Sequence, residues 1–181
     1  MGQLADGDRI REFLRALSEE AEREARLYLT GGATAVLYGW RPYTIDLDVK
    51  LVPEDERLLR ALPVIAARVG INVERTCPGD YLPELEGWED RSPLVAREGR
   101  LACHHYDLCA QALAKIARGH VQDMADIEAM LSRGLVAPPG LREHLRLIEP
   151  RLHLFPAINA VALRLWVEEA LVSSGPKPLD Q

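Results

Sequence analysis

The chain has 181 residues, is 48% hydrophobic and 28% charged, and carries a formal net charge of −6. That length suits one domain, or one domain with a small helical appendage, and the composition is that of an ordinary soluble protein. The acidic balance argues against broad coating of nucleic acid but leaves room for a local basic cleft. No apolar run approaches the roughly 18 residues of a membrane span, so no membrane partner is expected. The opening stretch MGQLADGDRIREFLRALSEE reads as an amphipathic helix rather than a signal region. Cys77, Cys103 and Cys109 are odd in number and lack metal-type spacing, which predicts reduced thiols and a cytoplasmic location.

Asp6 or Asp8 can cap a first helix, with Ile10, Phe13, Leu14, Leu17, Ala21 and Ala25 on one face. A short strand is predicted over 27–30, broken by Gly31-Gly32, and a short helix over 33–38 ends at Gly39. Residues 44–52 alternate strictly and read as a strand. Pro53 opens a helix over 54–69 that Gly70 ends, and 71–76 is the next strand. The stretch 77–92, CPGDYLPELEGWEDRS, is a long loop of the kind that often carries function. Residues 93–106 read as a hairpin turning at Glu98-Gly99-Arg100. Helices are predicted over 107–118, 121–133, 139–148 and 157–172, with a disordered tail at 173–181. The rear stripe of Leu141, Leu145, Ile148, Leu152, Val161, Leu165 and Val167 reads as core. The expected class is α/β (α+β): a mixed sheet with helices on one face over 1–106, then a C-terminal helical bundle over 107–172.

The chemistry concentrates at Thr44-Ile45-Asp46-Leu47-Asp48-Val49. Alternation puts Ile45, Leu47, Val49 and Leu51 on one face and Thr44, Asp46, Asp48 and Lys50 on the other. On the neighbouring strand Asn72, Glu74 and Thr76 share a face, so Glu74 joins the two Asp if the strands pair. Three clustered carboxylates repel one another unless a cation sits among them, and oxygen-only ligands suit Mg²⁺. A solvated polar sheet face is the alternative. Gly31-Gly32 lies between a strand and a helix start, where bare backbone N–H groups let a phosphate approach. Thirteen residues separate Gly32 from Asp46, so one strand–helix–strand unit holds a phosphate turn and a metal strand.

In the helical half, Gln111, Lys115 and Arg118 form a polar stripe at i, i+4 and i+7. They either lie against a triphosphate or are solvated. Asp123 and Asp126 could instead pair with Lys115 or Arg118 as structural salt bridges. His104 and His105 alternate across a strand and cannot share a site, and no His is assigned to metal.

The Gly31-Gly32 turn, Arg41, Thr44 and Asp46-x-Asp48 together resemble the polymerase-β-like nucleotidyltransferase superfamily, in particular small bacterial AbiEii-toxin-like enzymes and their uncharacterised relatives. Gly87-Trp88-Glu89-Asp90-Arg91, and the segment from Asp107 through Lys115, Arg118, Asp123 and Asp126, extend that resemblance over about residues 28–132. The resemblance implies transfer of a nucleoside monophosphate from NTP to a hydroxyl, at a two-metal Mg²⁺ site held by Asp46 and Asp48. A third carboxylate completes it, and Glu74 is the candidate from strand alternation. Gly31, Gly32, Thr44 and Arg41 would hold the nucleotide, joined by Lys115 and Arg118 with Asp123 and Asp126 in support. The acceptor is open between tRNA, protein and a small molecule. A cognate toxin or antitoxin partner is implied. A non-catalytic antitoxin or scaffold of the same fold is the alternative function.

Overall fold

The computed structural model describes residues 4–173, so the expected tail lies outside the described residues from residue 174 onward. The chain divides into two compact units. The first holds the described residues up to Cys77 together with Glu89–Asp107, and the second holds Pro78–Trp88 together with the chain from Leu108.

The first unit is a five-stranded mixed sheet with three helices. In chain order these are α1 (Gly7–Ser18), β1 (Ala25–Thr30), α2 (Gly32–Leu37), β2 (Asp46–Val52), α3 (Glu56–Val69), β3 (Asn72–Glu74), β4 (Leu94–Glu98) and β5 (Leu101–His105). The spatial order is β3-β2-β1-β5-β4. β1 runs antiparallel to β2 and parallel to β5, while β3 is parallel to β2 and β4 antiparallel to β5. Local chemistry sets the helix ends. Asp6 accepts from the Arg9 N–H at 2.9 Å to start α1, and Asp55 accepts from the N–H groups of Arg57 and Leu58 to start α3. α3 stops at Gly70, whose φ of 78° is a left-handed conformation that suits glycine.

One face of this sheet is apolar. Leu27 and Leu29 of β1, Leu47, Val49 and Leu51 of β2, and Leu101 of β5 share a core with Phe13 and Leu17 of α1 and Leu58, Leu62 and Ile65 of α3. Burying each such side chain stabilises the fold by about 1.5–3 kcal/mol. β2 alternates without a break: Leu47, Val49 and Leu51 are buried, and Asp46, Asp48 and Lys50 are half-buried on the other face.

The strand starts later than the alternation predicts. β2 begins at Asp46, and Ile45 is 68% exposed instead of sharing the apolar face. Thr44 is diverted because its N–H and C=O both bond to Ala5, forming an isolated bridge. Ala25 belongs to β1 and not to the stripe of α1, and β3 is shorter than the predicted 71–76.

The second unit holds α4 (Leu108–Arg118), α5 (Val121–Ser132), α6 (Pro138–Ile148) and α7 (Ala160–Ser173). α4 packs against each of the other three. Pro78–Trp88 groups with these helices rather than with the sheet, so the sequence-based boundary at 106/107 does not capture it. Leu141, Leu145, Ile148, Leu152 and Val167 are buried as the stripe predicts, but Val161 and Leu165 are 66% and 65% exposed. α7 is apolar on most of its circumference, so periodicity could not tell its inner face from its outer one. Among the described residues, no helix is long and apolar enough to cross a membrane.

Candidate functional site

The candidate site is built where β1 ends and β2 begins. Thr30 is the last residue of β1 and lies opposite Asp48 in the antiparallel register. The next residue, Gly31, turns the chain with φ 62° and ψ −128°, outside the range that residues with a side chain prefer. A Cβ at Gly31 would stand 2.5 Å from Asp48 Oδ2. The Asp48 carboxylate therefore rests against bare backbone. Gly32 is fitted as tightly: a Cβ there would lie 2.7 Å from Thr44 Cβ and 3.6 Å from Arg41 Nη1. Both glycines are thus required by close approach, and the approach brings Gly31, Gly32, Arg41, Thr44 and Asp48 to one place.

Thr44 fixes the start of the strand. It is 7% exposed, and its hydroxyl donates to the Asp46 carbonyl at 3.0 Å. Asp46 and Asp48 follow on the half-buried polar face. β3 adds a second polar pair in register, Asn72 beside Asp46 and Glu74 beside Asp48. The Asn72 amide donates to Asp46 Oδ1 at 2.5 Å. Asn72 was not singled out from sequence as a site residue. The available signal was the repeat of Asp46-x-Asp48 as Asn72-x-Glu74 on the next strand. Glu74 is exposed, and Asp46, Asp48 and Glu74 do not form a group whose ligand oxygens all lie within 4.8 Å of one another. Lys50 continues the same face, with its ammonium 5.8 Å from the centroid of the Tyr106 ring.

The helix after the glycines is anchored from β5. His105 Nδ1 lies 3.1 Å from Thr34 Oγ1, and its ring stacks on Tyr38 at 4.4 Å. Burial, with a smaller push from His104, lowers its pKa to about 4, so it is neutral at pH 7. His104 faces elsewhere, with Nδ1 3.0 Å from the Ser92 carbonyl. Two residues of the resembling segments meet in the same unit: Arg91 Nε donates to the buried Asp107 at 2.6 Å.

The helical residues singled out from sequence meet one another in the second unit. Lys115, Asp123 and Asp126 are 5%, 1% and 0% exposed, so the stripe is not solvated at Lys115. Lys115 Nζ is 2.6 Å from Asp126 Oδ2 and 3.5 Å from Asp123 Oδ1. Arg118 grips Asp123 in a two-pronged pair, Nε to Oδ2 at 2.7 Å and Nη2 to Oδ1 at 2.6 Å. Burial raises the Asp123 pKa, but the Arg118 hydrogen bonds and the Lys115 charge outweigh it and hold the carboxyl below its ordinary value. Two cations and two carboxylates thus close a charge-balanced network. Its geometry is that of the structural salt bridges foreseen as one reading of Asp123 and Asp126.

Searches of protein families, of characterised proteins and of solved structures find no match to this chain.

Proposed function

We propose that the sheet unit is the nucleotide site of a Mg²⁺-dependent nucleotidyltransferase of the polymerase-β-like superfamily. The observation that carries this reading is the seating of the Asp48 carboxylate against Gly31, with Gly32 seated against Thr44 and Arg41. A phosphate chain needs bare backbone and a cation, and a metal needs carboxylates; here those parts come from one strand–helix–strand unit. The donor set fits Mg²⁺, since Asp46 and Asp48 offer oxygen ligands from a rigid strand and Glu74 is in register with Asp48.

In this reading Asp46 and Asp48 hold Mg²⁺, which neutralises charge on the triphosphate when bound. Gly31 and Gly32 present backbone to the phosphates, and Arg41 pairs with their oxygens. The acceptor hydroxyl oxygen forms a bond to the α-phosphorus, the bond from that phosphorus to the pyrophosphate oxygen breaks, and pyrophosphate leaves. Glu74 takes the hydroxyl proton. Such chemistry depends mostly on positioning and charge. Lys115 and Arg118 are engaged by Asp126 and Asp123, so the proposal rests on the residues of the sheet unit.

A second reading, a non-catalytic member of the same fold acting as an antitoxin or scaffold, draws on the same site. It is favoured by the Asn72 amide on Asp46 and by the spread of the three carboxylates. Incubation with each α-labelled NTP and Mg²⁺ separates the two, with total RNA, total protein and a pool of small hydroxyl compounds as acceptors. Label transfer that fails in Asp48→Asn supports the enzyme. Mg²⁺-dependent NTP binding without transfer to any acceptor supports the second reading.

A further inference from the structure

The helical unit carries a groove that the nucleotide site does not explain. It encloses about 730 Å³ between the end of α4, the first turns of α5, and α7. Ile116 and Ile127 form its buried floor. Its outer parts include Met124 and Trp166, which are 38% and 45% exposed. An exposed tryptophan beside a cavity is a common recognition element, because the ring gives a large rigid contact at low entropic cost.

Three features define the occupant. The first is length. Trp166, Glu169, Ala170 and Ser173 line the groove from α7 at i, i+3, i+4 and i+7 spacing, which makes a wall of two helical turns, about 10 Å. The second is charge. Glu128 and Glu169 lie on the groove, and among the described residues neither forms an ion pair. Among the described residues the one cation lining it is Arg118, which is paired with Asp123. Among the described residues the groove therefore offers two carboxylates and an aromatic face with no further cation to match them. The third is continuity of apolar surface, since α7 is apolar on its outer side as well, with Val161, Leu165 and Val172 exposed.

We propose that this groove docks a short amphipathic helix of a partner protein, one that carries Lys or Arg beside its apolar stripe. Its apolar residues pack on Ile116, Ile127 and Met124. Its cations reach Glu128 and Glu169, or lie over the Trp166 ring.

The test uses the full chain and a fluorescein-labelled helix-forming peptide of Leu and Lys, about four turns long, with Leu at helical spacing. Two control peptides have the same composition in scrambled order, or Glu in place of Lys. The Leu–Lys peptide is expected to bind and both controls to bind at least about ten-fold more weakly. Trp166→Ala and the double variant E128Q/E169Q should each weaken the Leu–Lys peptide by about ten-fold, with unchanged melting behaviour, while Glu56→Gln on the sheet unit leaves it unaltered. Absence of binding, or binding that the groove variants do not alter, overturns the proposal. So does an affinity shared by all three peptides. Light scattering that shows a dimer dissociated by Trp166→Ala would also overturn it, assigning the groove to a second copy of this chain.

Discussion

Lys115→Ala removes the cation that stands against both Asp123 and Asp126 in a buried network. Asp126 is fully buried and takes its 2.6 Å ion pair from Lys115 Nζ. Asp123 keeps its two bonds from Arg118 but loses the Lys115 charge at 3.5 Å. Truncation therefore leaves a carboxylate out of water without its cation. That situation costs about 3–5 kcal/mol, whereas an exposed pair costs about 0.2–1 kcal/mol. With a urea dependence of about 2 kcal/mol per molar, the unfolding midpoint should fall by roughly 1.5–2.5 M. Adding Asp126→Asn to Lys115→Ala removes the stranded charge and should recover a substantial part of the loss. Urea titrations of the four proteins in this cycle, followed by circular dichroism at pH 7, measure it. A loss below about 1 kcal/mol for Lys115→Ala, or no recovery in the double variant, would show that Asp126 does not depend on the Lys115 charge.

Gly31→Ala and Gly39→Ala separate backbone strain from site geometry. Both glycines have positive φ, 62° and 83°, but a Cβ at Gly39 meets nothing within 4 Å while one at Gly31 meets Asp48. Gly39→Ala should lose about 1–2 kcal/mol of stability in thermal melts; Gly31→Ala should lose more, because its Cβ also meets Asp48 Oδ2, and only Gly31→Ala should lose NTP affinity as well. Equal NTP affinity in the two variants would contradict the close-approach argument. Stability should also fall on acidification because of His105. Its folded pKa of about 4 lies below its ordinary 6.5, so the unfolded chain takes up the proton first. The contribution is full above about pH 6.5 and is lost between about 6.5 and 4, a change of about 3 kcal/mol. Denaturation midpoints at several pH values should show this slope, flattened in His105→Gln; an unchanged slope in that variant counts against the assignment.

The sequence made β2 readable because a period of two put Leu47, Val49 and Leu51 against Asp46, Asp48 and Lys50, and burial follows that period. Where the strand starts was not readable, because the partner that diverts Thr44 is Ala5, remote in sequence. The Gly31-Gly32 break was visible, but its reason was not. Only the fold brings Asp48 and Thr44 onto those two residues. Lys115 posed a different difficulty. A polar residue at i+4 spacing has the same pattern whether solvated or buried, and only Asp123 and Asp126 on the next helix hinted at its partners. Val161 and Leu165 were misplaced because an apolar residue on an apolar helix carries no directional signal. Loop residues 78–88 had no periodicity that could assign them to either unit.

The Gly31-Gly32 turn and the Asp46-x-Asp48 strand are proposed to bind a nucleoside triphosphate through Mg²⁺. Calorimetric titration of each of the four NTPs into the wild-type chain and into Asp48→Asn, with Mg²⁺ and with chelator, tests it most directly. At least one NTP should bind the wild type only when Mg²⁺ is present, and Asp48→Asn should abolish that binding while the chain still unfolds cooperatively. Failure of every NTP to bind the wild type, or binding that Asp48→Asn and chelator leave unchanged, would rule out this nucleotide site.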